Sequence, residues 1–78
     1  RAIFSYAVPP GVDHCRLELY SAGGRCVRTL RPDIRGTRMG SVIWDGCDED
    51  GHAMSSGVYY YRLSTASGDA KGAVALVR

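Results

Sequence analysis

No run in this 78-residue chain approaches the roughly 20 consecutive apolar residues that a membrane-spanning helix requires, so no transmembrane segment is expected. No signal-peptide layout is present, and any export signal is expected upstream of Arg1. The chain starts on Arg1, not Met, and a strand-like pattern begins almost at once, as in a single domain excised from a longer protein. No segment holds a helical period over a useful length, which excludes a bundle. There is no Cys-x-x-Cys pair, and His14 and His52 lie far apart, so no zinc pattern is present. A Gly-x-Ser-x-Gly elbow and a phosphate-binding glycine loop are both missing. Ser55 and Ser56 lie near His52 and a group of carboxylates, but a triad is defined by geometry and not by membership, and no enzyme is expected. A net charge of +2 is too small to argue for a nucleic-acid partner. Arg16, Arg25, Arg28, Arg31, Arg35 and Arg38 crowd one third of the chain and are read as solvated strand faces and loops.

What is present is short alternating strands punctuated by glycine. Ile3–Val8 alternates Phe4, Tyr6 and Val8 against Ile3, Ser5 and Ala7 before Pro9-Pro10-Gly11 stops it. Cys15–Tyr20 places Cys15, Leu17 and Leu19 on one face, with Arg16 and Glu18 directed to solvent. Ser21–Gly24 turns the chain into Arg25–Leu30, in which Cys26 points away from the face that holds Cys15. A Cys15–Cys26 disulfide is therefore not expected, while Cys26 with Cys47 stays open. Arg31–Gly40 reads as a connection crossing between sheets, and Ser41–Trp44 as a short strand that sends Val42 and Trp44 inward. Trp44 anchors the core because it buries more area than any other side chain.

The stretch that follows holds Asp45, Gly46, Asp48, Glu49, Asp50 and Gly51, residues that reverse a chain tightly. Asp45, Asp48 and Asp50 also offer the hard oxygens that calcium takes. Their order is not that of an EF-hand, and aspartates hold turns by accepting backbone N–H bonds, so a turn scaffold is preferred and no metal or cofactor is expected. Gly57–Thr65 is the strongest strand, with Tyr59, Tyr61 and Leu63 inward and Tyr60 and Arg62 outward. A stacking platform for sugar or single-stranded nucleic acid would need more rings than Tyr60 alone. Ala66–Asp69 turns the chain into a last strand, Ala70–Val77. The count gives an all-β antiparallel β-sandwich of six to seven strands, whose first and last strands expose edge hydrogen-bonding groups.

Two stretches carry a family likeness. Arg16–Tyr20 (RLELY), the glycine turn and Val27-Arg28-Thr29-Leu30 form the first. Trp44, Asp45, Gly46, Asp48 and Gly51 with Gly57, Tyr59, Tyr61 and Leu63 form the second. Together they resemble the Ig-like domain of the flagellar hook-capping protein and the C-terminal sorting domain of proteins exported by type IX secretion. Lys71 followed by Val74–Arg78 is similar to the basic-then-apolar strand with which sorting domains close. The resemblance implies a non-catalytic C-terminal sorting or anchoring module of a bacterial secreted or cell-surface protein. Its partners would be secretion or outer-membrane attachment machinery, or neighbouring domains and subunits, and Lys71, Gly72, Val74, Leu76 and Arg78 would form the recognition surface. Ser21 stands where the family commonly has Asp, and Gly72-Ala73 where it has bulkier residues. The alternatives are a structural module that packs on a partner or polymerises through edge strands, an accessory domain of an extracellular hydrolase, and a calcium-dependent adhesion module.

Overall fold

The computed structural model describes residues 2–7, 14–32, 39–66 and 68–77, and for residues 2, 4–7 and 39 the backbone alone. Val8, Pro9-Pro10-Gly11, the middle of the Arg31–Gly40 connection and Arg78 lie outside the described residues. The elements are β1 (Ala2–Ala7), β2 (Arg16–Tyr20), β3 (Cys26–Leu30), β4 (Met39–Trp44), β5 (Gly57–Thr65) and β6 (Gly68–Leu76). Antiparallel pairing joins β1 to β4 in one sheet and orders the other β3-β2-β5-β6. The chain thus changes sheet after β1, after β3 and after β4. That is the small sandwich expected of regularly spaced strands, and its core lies between the sheets.

Strand parity sets which residues enter that core. Leu17 and Leu19 from β2, Val27 from β3, Trp44 from β4, Tyr59 from β5 and Leu76 from β6 form one buried cluster. Val42, Leu63 and Val74 pack against it half-buried. Trp44 is 0 % exposed, and its ring meets Tyr59 edge to face at a centroid distance of 5.2 Å. Both polar handles are satisfied: Trp44 Nε1 donates to the Cys47 carbonyl at 2.9 Å, and the Tyr59 hydroxyl donates to the Ser55 carbonyl at 2.6 Å. Buried Trp and Tyr are tolerated in a core on this condition.

Several boundaries and contacts differ from the sequence reading. β4 starts at Met39, earlier than Ser41, because its pairing with β1 extends to Ala7↔Met39. β6 starts at Gly68 because the hairpin closes at Thr65↔Gly68, so Gly68 and Asp69 are already strand. Glu18 is not a freely solvated carboxylate. It lies opposite Arg62, which donates to it from Nε at 3.3 Å and from Nη2 at 3.0 Å. Desolvation would raise the Glu18 pKa, but it is outweighed by the Arg62 hydrogen bond and the charges of Arg16 and Arg62, and the net direction is down.

Between Leu19 and Tyr20 the β2–β3 register slips. Leu19 pairs with Arg28 and Tyr20 with Cys26, leaving Val27 as the extra residue of a bulge. The bulge lets Val27 enter the core while Arg28, on the next position, reaches the β4–β5 loop. All three cysteines are free, Cys15 buried and Cys26 exposed, as the face argument requires of that pair.

Truncating the anchor tests this account of the core. Trp44→Ala should cost about 3–5 kcal/mol by denaturant unfolding. A cost below about 1 kcal/mol would show that the sheets are held by something else.

Candidate functional site

Two regions carry the residues singled out from sequence: the acidic corner after Trp44 and the C-terminal hairpin. The corner is a miniature hairpin. Cys47 and Ala53 form an isolated antiparallel bridge, Met54 N–H donates to the Gly46 carbonyl at 2.8 Å, and Asp48 N–H donates to the His52 carbonyl at 2.9 Å. Its tip, Asp48–Gly51, is closed by Gly51 N–H on the Asp48 carbonyl at 3.1 Å. Gly51 sits at φ 85°, where a side chain would be strained, which explains glycine at that position.

Asp45, Asp48 and Glu49 each have a separate task. Asp48 Oδ1 accepts from Asp50 N–H at 3.0 Å and from His52 N–H at 2.9 Å. The His52 amide is the main cause that holds the Asp48 pKa below the ordinary aspartate value, against some desolvation and with help from the Asp50 amide. Asp45 Oδ1 accepts from Cys47 N–H at 2.9 Å and pairs with Arg28 Nη1 at 3.3 Å. Glu49 turns toward β3: its N–H donates to the Val27 carbonyl at 3.2 Å, and its Oε1 accepts from Thr29 N–H at 2.6 Å. The loop therefore closes the outer edge of β3, a task not visible in the string of carboxylates.

Arg28 completes the corner. Its Nη1 donates to the Cys47 carbonyl at 3.2 Å and the Asp48 carbonyl at 3.3 Å. The set Asp45, Asp48 and Asp50 does not converge on one point. The groups that come within 4.8 Å of one another are Asp48, Asp50 and His52, and Asp45 is drawn aside by Arg28 and its own turn. One Asp48 oxygen accepts from two amides, as an aspartate that organises a turn does.

The hairpin divides by face. On its inner side Tyr61 faces Gly72 in register, and a Cβ built on Gly72 would lie 2.5 Å from the Tyr61 hydroxyl and 2.6 Å from its ring. Gly72 is thus a clearance for an aromatic ring. Leu76, expected on the recognition surface, is 1 % exposed and belongs to the core, with Val74 half-buried behind it. Parity decides this, because residues 72, 74 and 76 alternate with the outward 71, 73 and 75. Of the proposed recognition residues the structure leaves Lys71 fully available, and it adds Ala73 and Ala75, which the residue types did not flag.

Outside, the register builds rows across the sheet: Glu18–Arg62–Lys71 and Tyr20–Tyr60–Ala73. A shallow open hollow lies over Tyr20, Tyr60, Arg62, Lys71 and Ala73. Tyr20 beside Tyr60 was missed from sequence because it depends on which strands pair.

A model of the FlgD Ig-like domain matches residues 1–69. The chain belongs to the FlgD Ig-like domain family. The match covers the Trp44 corner, β5 and the glycine turns before it, and it makes the chain an Ig-like module of the hook-capping family. The match ends at Asp69, so Lys71, Gly72, Val74, Leu76 and Arg78 all lie beyond it. No curated protein and no solved structure matches. Among the described residues of this FlgD Ig-like domain, no helix is long and apolar enough to cross a membrane.

Two measurements check the corner. The folded-state pKa of Asp48 is depressed, so its contribution is present above the unfolded value near 4 and is lost as pH falls through the folded value. Unfolding free energy should therefore drop on acidification below about pH 4, less steeply in Asp48→Asn; equal slopes would assign the acid sensitivity to other carboxylates. Glu49→Ala removes the acceptor of Thr29 N–H and should cost about 0.5–1.5 kcal/mol while accelerating Thr29 amide exchange. Unchanged exchange at Thr29 would mean that Glu49 does not close the β3 edge.

Proposed function

We propose that this FlgD Ig-like domain is a non-catalytic assembly module of an exported bacterial protein, and that it docks through the open edge of its β5–β6 hairpin. The observation that carries this reading is the inequality of the two edges of the large sheet. β3 is five residues long, bulged and covered by Glu49, whereas β6 is nine residues long and ends the sheet with no strand or loop paired to it among the described residues. Unpaired edges invite another chain, and proteins usually shorten, bulge or cover them. Among the described residues, only the β3 edge is treated that way.

A non-catalytic role fits the side chains as well. Asp45, Asp48 and Glu49 are engaged in turns, edge closure and the Arg28 anchor, and the hollow over the tyrosines is shallow. The reading places the domain at the cell exterior or surface, with neighbouring domains or subunits as partners.

The sorting role is the finer version. Lys71, exposed in the last strand ahead of Val74 and Leu76, has the basic-then-apolar order of a type IX sorting signal. In that case the partner is the export or attachment machinery. Fusing residues 1–78 to a reporter in a type IX-competent cell separates the two: surface delivery supports sorting, and a folded reporter left in the periplasm leaves assembly alone.

The docking claim itself is tested by photo-crosslinking in the full-length protein. A crosslinker at Lys71 or Ala75 should capture an identified neighbour, and one at Arg25 beside β3 should not. Equal capture from both positions, or capture from Arg25 alone, would overturn it.

A further inference from the structure

We infer that β6 takes up an antiparallel strand from its partner, and that this strand carries a large apolar residue, a spacer, a second large residue, a spacer and then an acidic residue. This rests on the docking role of the hairpin proposed above and specifies its chemistry.

The charge of the row ending in Lys71 supplies the first argument. From the centre of the sheet outward it runs Glu18, Arg62, Lys71, with Arg62 held by Glu18 at 3.0 Å and lying 4.0 Å from Asp69. Lys71 is exposed, makes no ion pair among the described residues, and stands on the last strand. The row therefore stops on a cation, and directly opposite charges stabilise a cross-strand pair whereas like charges oppose it. An acidic residue opposite Lys71 completes the row.

Side-chain size supplies the second. The neighbouring row runs Tyr20, Tyr60, Ala73, and the next pairs Val58 with Ala75. Tyr60 is 49 % and Val58 53 % exposed, so the outer face is tall over β5 and steps down to methyl groups at the edge. Adjacent strands lie about 4.8 Å apart, close enough for a large side chain on an added strand to lean over Ala73 and reach the Tyr60 ring. The same holds over Ala75 against Val58.

The backbone supplies the third. β6 pairs with β5 in unbroken register over its whole length, without proline or bulge, so its outer edge is straight. Lys71 discourages indiscriminate pairing on this edge by selecting an anion. In antiparallel alignment the partner reads from the residue opposite Ala75, through the one opposite Ala73, to the acidic one opposite Lys71. Addition of a strand to an open sheet edge draws affinity from main-chain bonds and specificity from alternate side chains.

The test uses the 78-residue chain and the synthetic peptide Thr-Leu-Thr-Tyr-Thr-Glu-Thr, followed by amide NMR. Saturable shifts and slowed exchange are expected along Gly68–Leu76. Replacing the peptide's Glu with Lys should weaken binding about tenfold, and Lys71→Glu in the protein should invert that preference. Shifts confined to the Tyr20 and Tyr60 side chains without protection of β6 amides, no saturation at millimolar peptide, or an unchanged preference in Lys71→Glu would each overturn strand addition. If Lys71 and Ala75 still crosslink to a neighbour in that event, the hairpin docks by another geometry and only this inference fails.

Discussion

The Cys47 carbonyl accepts from Trp44 Nε1 and from Arg28 Nη1, and these two donors come from different sheets. Trp44 ends β4 of the two-stranded sheet, and Arg28 lies on β3 of the four-stranded one. One oxygen therefore joins the layers at the point where the chain passes from one to the other. The rest follows from that junction. It sets the depth of the Trp44 ring against Tyr59, fixes where the corner loop lies, and so delivers Glu49 to the edge of β3. Hydrogen bonds of this kind contribute only about 1 kcal/mol each, but leaving a buried indole N–H unpaired costs more. Their value here is positional.

Much of the fold was legible in the sequence because it depends on local periods. Alternation in Leu17 and Leu19, and in Tyr59, Tyr61 and Leu63, names the buried face directly, and Gly57–Thr65 matches β5 at both ends. Trp44 as the anchor follows from size alone. The bulge at Val27 was not legible, since it is a property of two paired strands and not of either one. The same is true of Glu18, whose partner Arg62 is brought beside it only by the β2–β5 register.

The candidate surface was legible in part. Lys71 stands out as the single lysine, but Leu76 and Gly72 were given to the surface when parity and the Tyr61 ring assign them inward. A terminal strand tempts such a reading because its residues look accessible in the string. Ala73 and Ala75 were overlooked for the opposite reason: alanine draws no notice, and its meaning here is the step it leaves beside Tyr60 and Val58. The corner carboxylates drew attention as ligands, whereas Asp45, Asp48 and Glu49 each direct an oxygen at a backbone amide, and Asp45 also meets Arg28.

The three thiols also bear on how the sandwich is closed. With Cys15 sealed in the sandwich, where burial pushes its thiol pKa up, and none of the three joined to another, no covalent tie holds the fold. The contacts that join the two sheets are apolar packing and polar contacts such as those on the Cys47 carbonyl. The sandwich as it stands closes both sheets without a disulfide.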